Sequence, residues 1–227
     1  MSEDHQDAHG EFVGEVFSST QSRTYWNTRH GEVDDLRSGG SLGYDEATNA
    51  MLYAVRRARL IEAITAESDP EIPRRVLDAG CGKGYFSRSL VEFGHRVDGI
   101  DTSTEAITEC RRLATGSETY AVSSLRSWRP PYLYDAVICI DVMFHLMDED
   151  EWLSSLRNLA VLVRLGGRLV VADHDADEDI VWGSYQKTRA RSRYAEVLRE
   201  QGLEIVSFIR NDFKSDQVGM HVAIRVA

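Results

Sequence analysis

One stretch of this 227-residue chain concentrates residues able to hold a nucleoside: Val76-Leu77-Asp78-Ala79-Gly80-Cys81-Gly82-Lys83-Gly84-Tyr85-Phe86. An apolar run meets an acid and three alternating glycines. Glycine lets a backbone turn tightly and approach a ligand where a Cβ would collide. A helical pattern starts at Tyr85, so the turn delivers a helix N-terminus with free N–H groups to that ligand. Further on, His95-Arg96-Val97-Asp98-Gly99-Ile100-Asp101 reads as a second strand ending in an acid. That acid stands where nucleoside-binding α/β folds place a carboxylate on the ribose hydroxyls.

The spacing selects among nucleosides. The dinucleotide fingerprint G-x-G-x-x-G needs a third small residue inside the helix start. Counted from Gly80 that position is Tyr85, and counted from Gly82 it is Ser87. A phosphate-binding G-K-[ST] is also missing. What stands here is D-x-G-x-G-x-G, on Asp78, Gly80, Gly82 and Gly84, followed by Gly99-Ile100-Asp101. This arrangement resembles the S-adenosylmethionine site of class I methyltransferases, from about Arg74 to Ala172.

The resemblance implies a fold and a set of contacts. The fold is a Rossmann-like, doubly wound α/β sheet of seven mostly parallel strands with an antiparallel C-terminal edge strand. Asp78 and the glycines would surround the methionine part and ribose, Asp101 would hold the ribose hydroxyls, and Thr102 would lie beside the adenine. In many relatives an acid after the third strand contacts the adenine amine. Here Ser124, followed by Leu125, stands at that position, and a serine hydroxyl or backbone N–H can replace the acid. Asp141 and Val142 leave the fourth strand under the cofactor. Tyr25, Trp26 and Arg29 belong to an N-terminal segment of the kind that relatives use as a lid. Arg29 could pair with the donor's carboxylate, and the face of Trp26 could meet the sulfonium by cation–π attraction.

Methyl transfer from a sulfonium is an in-line displacement, so orientation and exclusion of water are the main tasks. A base is needed only where the acceptor loses a proton. His145, beyond the fourth strand, and His174, after the fifth, are the two candidates, because both fall at the mouth of the sheet. Asp173, Asp175, Asp177, Glu178 and Asp179 crowd His174. With Asp141 they admit a magnesium-assisted reaction, but a solvated acidic loop explains them more simply, and no metal is expected.

The elements that must position these groups are legible in outline. Residues 1 to about 20 read as loosely attached, and residues 1–45 as an extension and lid before a cofactor-binding domain over 46–227. Ala47 to Ala66 has the apolar period of a helix, ended by Asp69-Pro70. Strands are expected at Arg75–Asp78, Arg96–Ile100, Thr119–Val122, Tyr134–Ile140 and Arg168–Ala172, alternating with helices at Tyr85–Phe93, from Thr102 to about Ala114, and from Glu149 to about Leu162. Thr102 with Glu105, and Asp148 with Glu151, read as capping pairs. Ser184 to Gln201 reads as a helix stopped by Gly202, and Leu203–Ile209 with His221–Val226 as a closing antiparallel hairpin.

Composition narrows the class of partner. Formal charge is −11, which argues against a general nucleic-acid surface, since such binding leans on Lys and Arg. Two basic clusters, Arg56/Arg57/Arg59 and Lys187/Arg189/Arg191/Arg193, read as solvated helix faces. Three cysteines without C-x-x-C spacing suggest reduced thiols and a cytoplasmic protein. No apolar run is long enough to span a bilayer, and the first ten residues do not resemble a signal peptide. The reading is methyl transfer from S-adenosylmethionine to an oxygen or nitrogen of a small molecule. Its rivals are a methyltransferase acting on tRNA or protein, and a non-catalytic cofactor-binding regulator.

The glycine spacing yields the first prediction. Calorimetric titration should show S-adenosylmethionine binding and no binding of a nicotinamide dinucleotide; the reverse pattern would overturn the assignment.

Overall fold

The computed structural model describes residues 14–65, 72–214 and 216–227. From Arg75 the chain alternates strand and helix: β1 (Arg75–Ala79), α3 (Tyr85–Glu92), β2 (Arg96–Asp101), α4 (Thr104–Leu113), β3 (Glu118–Val122), β4 (Tyr134–Cys139), α5 (Glu149–Val161) and β5 (Val163–His174). Among the described residues two α-helices precede it, α1 (Ser19–Glu32) and α2 (Glu46–Thr65). A small hairpin, β6 (Ile180–Gly183) and β7 (Gln186–Thr188), then leads into α6 (Arg191–Glu200), β8 (Leu203–Arg210) and β9 (Val218–Arg225).

The sheet has seven strands in the order β3-β2-β1-β4-β5-β9-β8. Pairing is parallel from β3 to β5, and β9 runs antiparallel to both β5 and β8. The antiparallel strand thus lies one place in from the edge. Both faces are covered, as a parallel sheet requires. Alternate residues divide between two cores: Leu77, Val137 and Leu169 pack with Trp152, Leu156 and Tyr194, while Val76, Ile138 and Val170 pack with Tyr53, Leu60 and Leu90. The strand ends at Ala79, Asp101, Val122 and Cys139 therefore share one rim, and every loop expected to carry chemistry leaves from it.

Several local expectations are corrected. The helix expected over Ser184–Gln201 begins only at Arg191, and the residues before it form the hairpin, where Trp182 Nε1 donates to Thr188 Oγ1 at 3.0 Å. The basic cluster there is not a solvated face. Arg189 is fully buried, with its guanidinium 5.3 Å from the Trp152 ring centre. Arg191 pairs with Asp175 and Asp177, and Arg193 with Asp179, so the basic cluster neutralises the acidic loop beside His174. Arg56 is likewise buried and ion-paired to Asp141 and Asp216. The cap of α4 is Ser103, one residue later than expected, its hydroxyl accepting the N–H of Ala106 at 3.2 Å. The N-terminal segment is a capped helix from Ser19, with Ser18 and Gln21 forming a reciprocal box. Residues 1–13, Ala66 and the Asp69-Pro70 stop lie outside the described residues.

The turn after β1 is closed from the neighbouring strand. The N–H groups of Gly80 and Cys81 both donate to the carbonyl of Ile100, at 2.7 and 2.9 Å. Gly80 has φ +82°, and a Cβ there would fall inside the contact shell of the Val142 side chain. Gly80→Ala is therefore both strained and obstructed. It should lower the melting temperature by about 5–10 °C, an effect of roughly 2–3 kcal/mol in a chain of this size, which differential scanning calorimetry would detect.

Candidate functional site

A cavity of about 460 Å³ opens over the rim, between the glycine turn and α1. Its floor carries Gly80, Gly82, Asp101, Thr102, Ser124, Leu125, Asp141 and Val142, all named above from the sequence, and His145 stands in its wall. Its roof is one face of α1, Ser19, Ser22, Arg23, Trp26 and His30, at the three- and four-residue steps of a helix. Beside α2 the lining turns aromatic, with Tyr53, Tyr85 and Phe86.

Asp101 organises the floor. Its Oδ2 accepts the N–H of Gly82 at 2.9 Å, and its Oδ1 accepts the N–H of Ser103 at 2.8 Å. The carboxylate thereby joins the end of β2 to the glycine turn and to the start of α4. Val142 and Asp141 form the next wall. Asp141 has a left-handed backbone, φ +59°, costly for a residue with a side chain. The Arg56 ion pair from α2 holds it there.

Four residues assigned from the sequence do not line the cavity. Asp78 is buried beneath the turn, where Ser87 donates its hydroxyl at 2.6 Å. Burial pushes this carboxyl up to about 6, with the nearby Asp101 charge adding and the Ser87 bond opposing. It supports the turn from below rather than touching a ligand. Gly84, φ +76°, starts α3, and a Cβ there would press on Cys110 and Arg88; its need is packing. Arg29 does not face the cavity, because its guanidinium donates to the carbonyls of Arg37 and Gly40 and to the Tyr25 hydroxyl. It also sits 5.3 Å over the Trp26 ring, so a cation of the chain already uses that aromatic face. His174 turns away to Thr188 Oγ1 at 2.9 Å and stacks on Trp182.

His145 lies in the cavity wall, in an aromatic sandwich. Its ring stacks on Tyr185 at 5.5 Å and meets Trp26 edge-on at 4.7 Å. Nδ1 is 2.8 Å from the carbonyl oxygen of Tyr185, so Nδ1 carries the hydrogen and donates, leaving Nε2 as the acceptor. Protein encloses the ring while its edge meets the cavity. Burial pushes its pKa down to about 4, against the raising effect of the Tyr185 bond.

The carboxylates that a magnesium ion would draw on have partners within the chain. Asp141 is held by Arg56, and buried Asp173 accepts from Tyr194 at 2.7 Å and from Thr188 at 3.2 Å. Among the described residues no three His, Cys, Asp or Glu side chains converge as a metal site would need.

Other cavity residues escaped the sequence reading, notably His30, Tyr53, Lys83 and Glu151. Helical spacing from Trp26 would have found His30. Burial lowers the pKa of His30, against the pull of Asp101. Glu151 was hidden by its place three residues after Asp148, where a capping role accounts for it.

Residues 76–167 match the family model described as a methyltransferase domain. Ubiquinone biosynthesis O-methyltransferase of Aeromonas salmonicida is 33% identical over 126 residues, covering 53% of this chain and 51% of that protein. Its namesake from Proteus mirabilis is 31% identical over 149 residues, covering 63% and 59%. The chain thus spans a little over half the length of these relatives. Among solved structures, magnesium protoporphyrin IX methyltransferase of Synechocystis with bound SAM has a TM-score of 0.70 at 20% identity, covering 94% of this chain and 100% of that one. A Burkholderia thailandensis 1,6-didemethyltoxoflavin-N1-methyltransferase has a TM-score of 0.65 at 18% identity, covering 98% of each. At these identities the structural likeness is one of fold. Over residues 76–167 the chain is thus similar to a methyltransferase domain.

The buried Asp78 gives a prediction with a definite sign. Its folded pKa lies above the carboxylate's ordinary value, so the folded state binds the extra proton between about pH 4 and 6. Its contribution to stability therefore falls as pH rises through that window. Asp78→Asn keeps an acceptor for Ser87 and removes the charge. Compared with the parent protein, the variant should gain thermal stability on going from pH 4.5 to 7.5; a constant difference in melting temperature would show that Asp78 titrates normally.

Proposed function

We propose that the protein is an S-adenosylmethionine-dependent methyltransferase acting on an oxygen or nitrogen of a small, ring-bearing molecule. The observation that carries this is the convergence of Gly80, Gly82, Asp101 and the Ser124-Leu125 turn on one cavity. The cavity suits the donor. A Cβ at Gly82 would project toward His30, 3.5 Å from its Nε2, and occupy the space between turn and roof. Gly80 and Gly82 would hold the methionine part by their backbone, Asp101 the ribose hydroxyls, and Thr102 and Leu125 the base. When bound, the donor supplies a methyl group on a positively charged sulfur.

This chain's part is orientation and shelter. α1 roofs the cavity and excludes water. Aromatic walls at Trp26, Tyr53 and Tyr85 suit a planar acceptor. Neutral His145 offers Nε2 to an acceptor O–H or N–H, fixing the nucleophile's lone pair toward the donor and receiving its hydrogen bond. The depressed pKa makes His145 a weak proton sink but keeps it neutral, hence an acceptor, throughout the physiological range. The names of the similar proteins, a ubiquinone biosynthesis O-methyltransferase and a 1,6-didemethyltoxoflavin-N1-methyltransferase, support a cyclic acceptor. The basic clusters that a nucleic acid would need are spent on internal ion pairs at Arg56, Arg191 and Arg193. Three unbridged cysteines accord with a cytoplasmic setting, and no described helix is long and apolar enough to cross a membrane.

Turnover can be followed as S-adenosylhomocysteine release with a panel of phenolic and heteroaromatic acceptors. His145→Ala should lower turnover by about 10²-fold, with S-adenosylhomocysteine affinity changed by less than about threefold. The parent's rate between pH 5 and 8 should show no limb that disappears in the variant. Such a limb near pH 6.5 would mean that His145 is solvated and acts as an ordinary base, and an inert panel would count against a small-molecule acceptor.

A further inference from the structure

Glu151 occupies the third helical position of α5, three residues after its cap Asp148, where a glutamate usually folds back onto the cap's N–H. Asp148 does accept the N–H of Glu151, at 2.8 Å, but the Glu151 side chain takes another course. It is buried, lines the cavity, and accepts the hydroxyl of Ser19 on Oε2. Its Oε1 has no hydrogen-bond partner among the described residues. A carboxylate that leaves its cap to end, half satisfied, in a cavity wall is set toward a ligand that donates hydrogen bonds.

Its place on α5 shows which part of the ligand it meets. Glu151, Ser155 and Asn158 share one helix face at four- and three-residue steps. Asn158 fastens that face to the turn after β3, donating to the carbonyl of Leu125 at 2.6 Å. Glu151 and Ser155 are thereby held along the end of the cavity that also carries Ser124 and Leu125. With the ribose on Asp101, this end receives the nucleoside base. Ser124 has no carboxylate to offer, and its hydroxyl is directed to Ser127 at 2.8 Å.

We propose that Glu151 reads the cofactor's base, its Oε1 accepting a hydrogen from the 6-amino group of the purine while its Oε2 holds Ser19 of the roof helix. The assignment rests on the methyltransferase reading above. It makes Glu151 a specificity-determining residue and places one carboxylate in contact with both base and roof, so that seating the base and closing α1 favour each other.

The test compares S-adenosylhomocysteine with S-inosylhomocysteine, in which a carbonyl replaces the amino group and N1 carries a hydrogen. The parent protein should prefer the amino form by about 10²-fold in dissociation constant, because the keto oxygen faces a carboxylate. In Glu151→Gln the amide can present either its oxygen or its NH₂, so the preference should fall to within about threefold. Ser19→Ala keeps the carboxylate and should keep the preference, while weakening both ligands alike. Far-ultraviolet circular dichroism of each variant verifies folding, and Ser19→Ala together with the parent's own preference carries the test if Glu151→Gln unfolds. A parent without preference, or a preference unchanged in folded Glu151→Gln, overturns the assignment alone. Glu151→Gln with unchanged ligand affinities and collapsed turnover also overturns it, placing Glu151 on the acceptor. No binding of S-adenosylhomocysteine by the parent removes this assignment and the methyltransferase reading together.

Discussion

The two hydrogen bonds received by the Asp101 carboxylate, from Gly82 and Ser103, are the constraint on which the site depends. They tie Gly82 of the glycine turn and the start of α4 to one carboxylate at the end of β2. Charge-assisted bonds of this kind are among the stronger ones a protein makes. They also work with geometry fixed elsewhere: the carbonyl of Ile100 already receives both Gly80 and Cys81. One residue and its predecessor thus define the shape of the turn, and the cavity inherits its floor from them.

A second layer of support stands behind the turn and the wall. Asp78 and Ser87 brace the turn from beneath, and Arg56 secures Asp141 in a backbone conformation that it would otherwise leave. Both devices bury charge, which is costly unless the geometry repays it. The folded state accepts that cost close to the site, where rigid placement of the walls matters most.

The parallel half of the fold was readable because its strands are short β-branched runs separated by glycine turns and helical periods, signals that need no tertiary context. The floor of the cavity was readable for the same reason, since it consists of residues at strand ends. What could not be read depended on partners remote in sequence. Arg56 and Arg189 look like surface cations in one dimension and Arg29 like a partner for the donor's carboxylate, and only folding shows the carbonyls, carboxylates and rings that they meet. Strand β7 reads as helix in one dimension because the basic residues from Lys187 onward suggest one helical face, whereas Trp182 and Thr188 close the hairpin across it. Glu151 was legible as a cap partner and for that reason illegible as anything else.

The roof helix has a history that follows from its attachments. Ser19 meets Glu151 across 132 residues of chain, Asn27 meets Ser103 across 76, and the N–H of Phe17 is bonded to the carbonyl of Ser184 in the hairpin. α1 is therefore synthesised well before the segments that it must meet. Synthesis proceeds at about 5–20 residues per second, so the helix waits on the order of ten seconds for the last of its partners. During that interval the parallel strands β1 to β5 can come together around an open floor. A nascent chain of this kind can meet a nucleoside before it can enclose it.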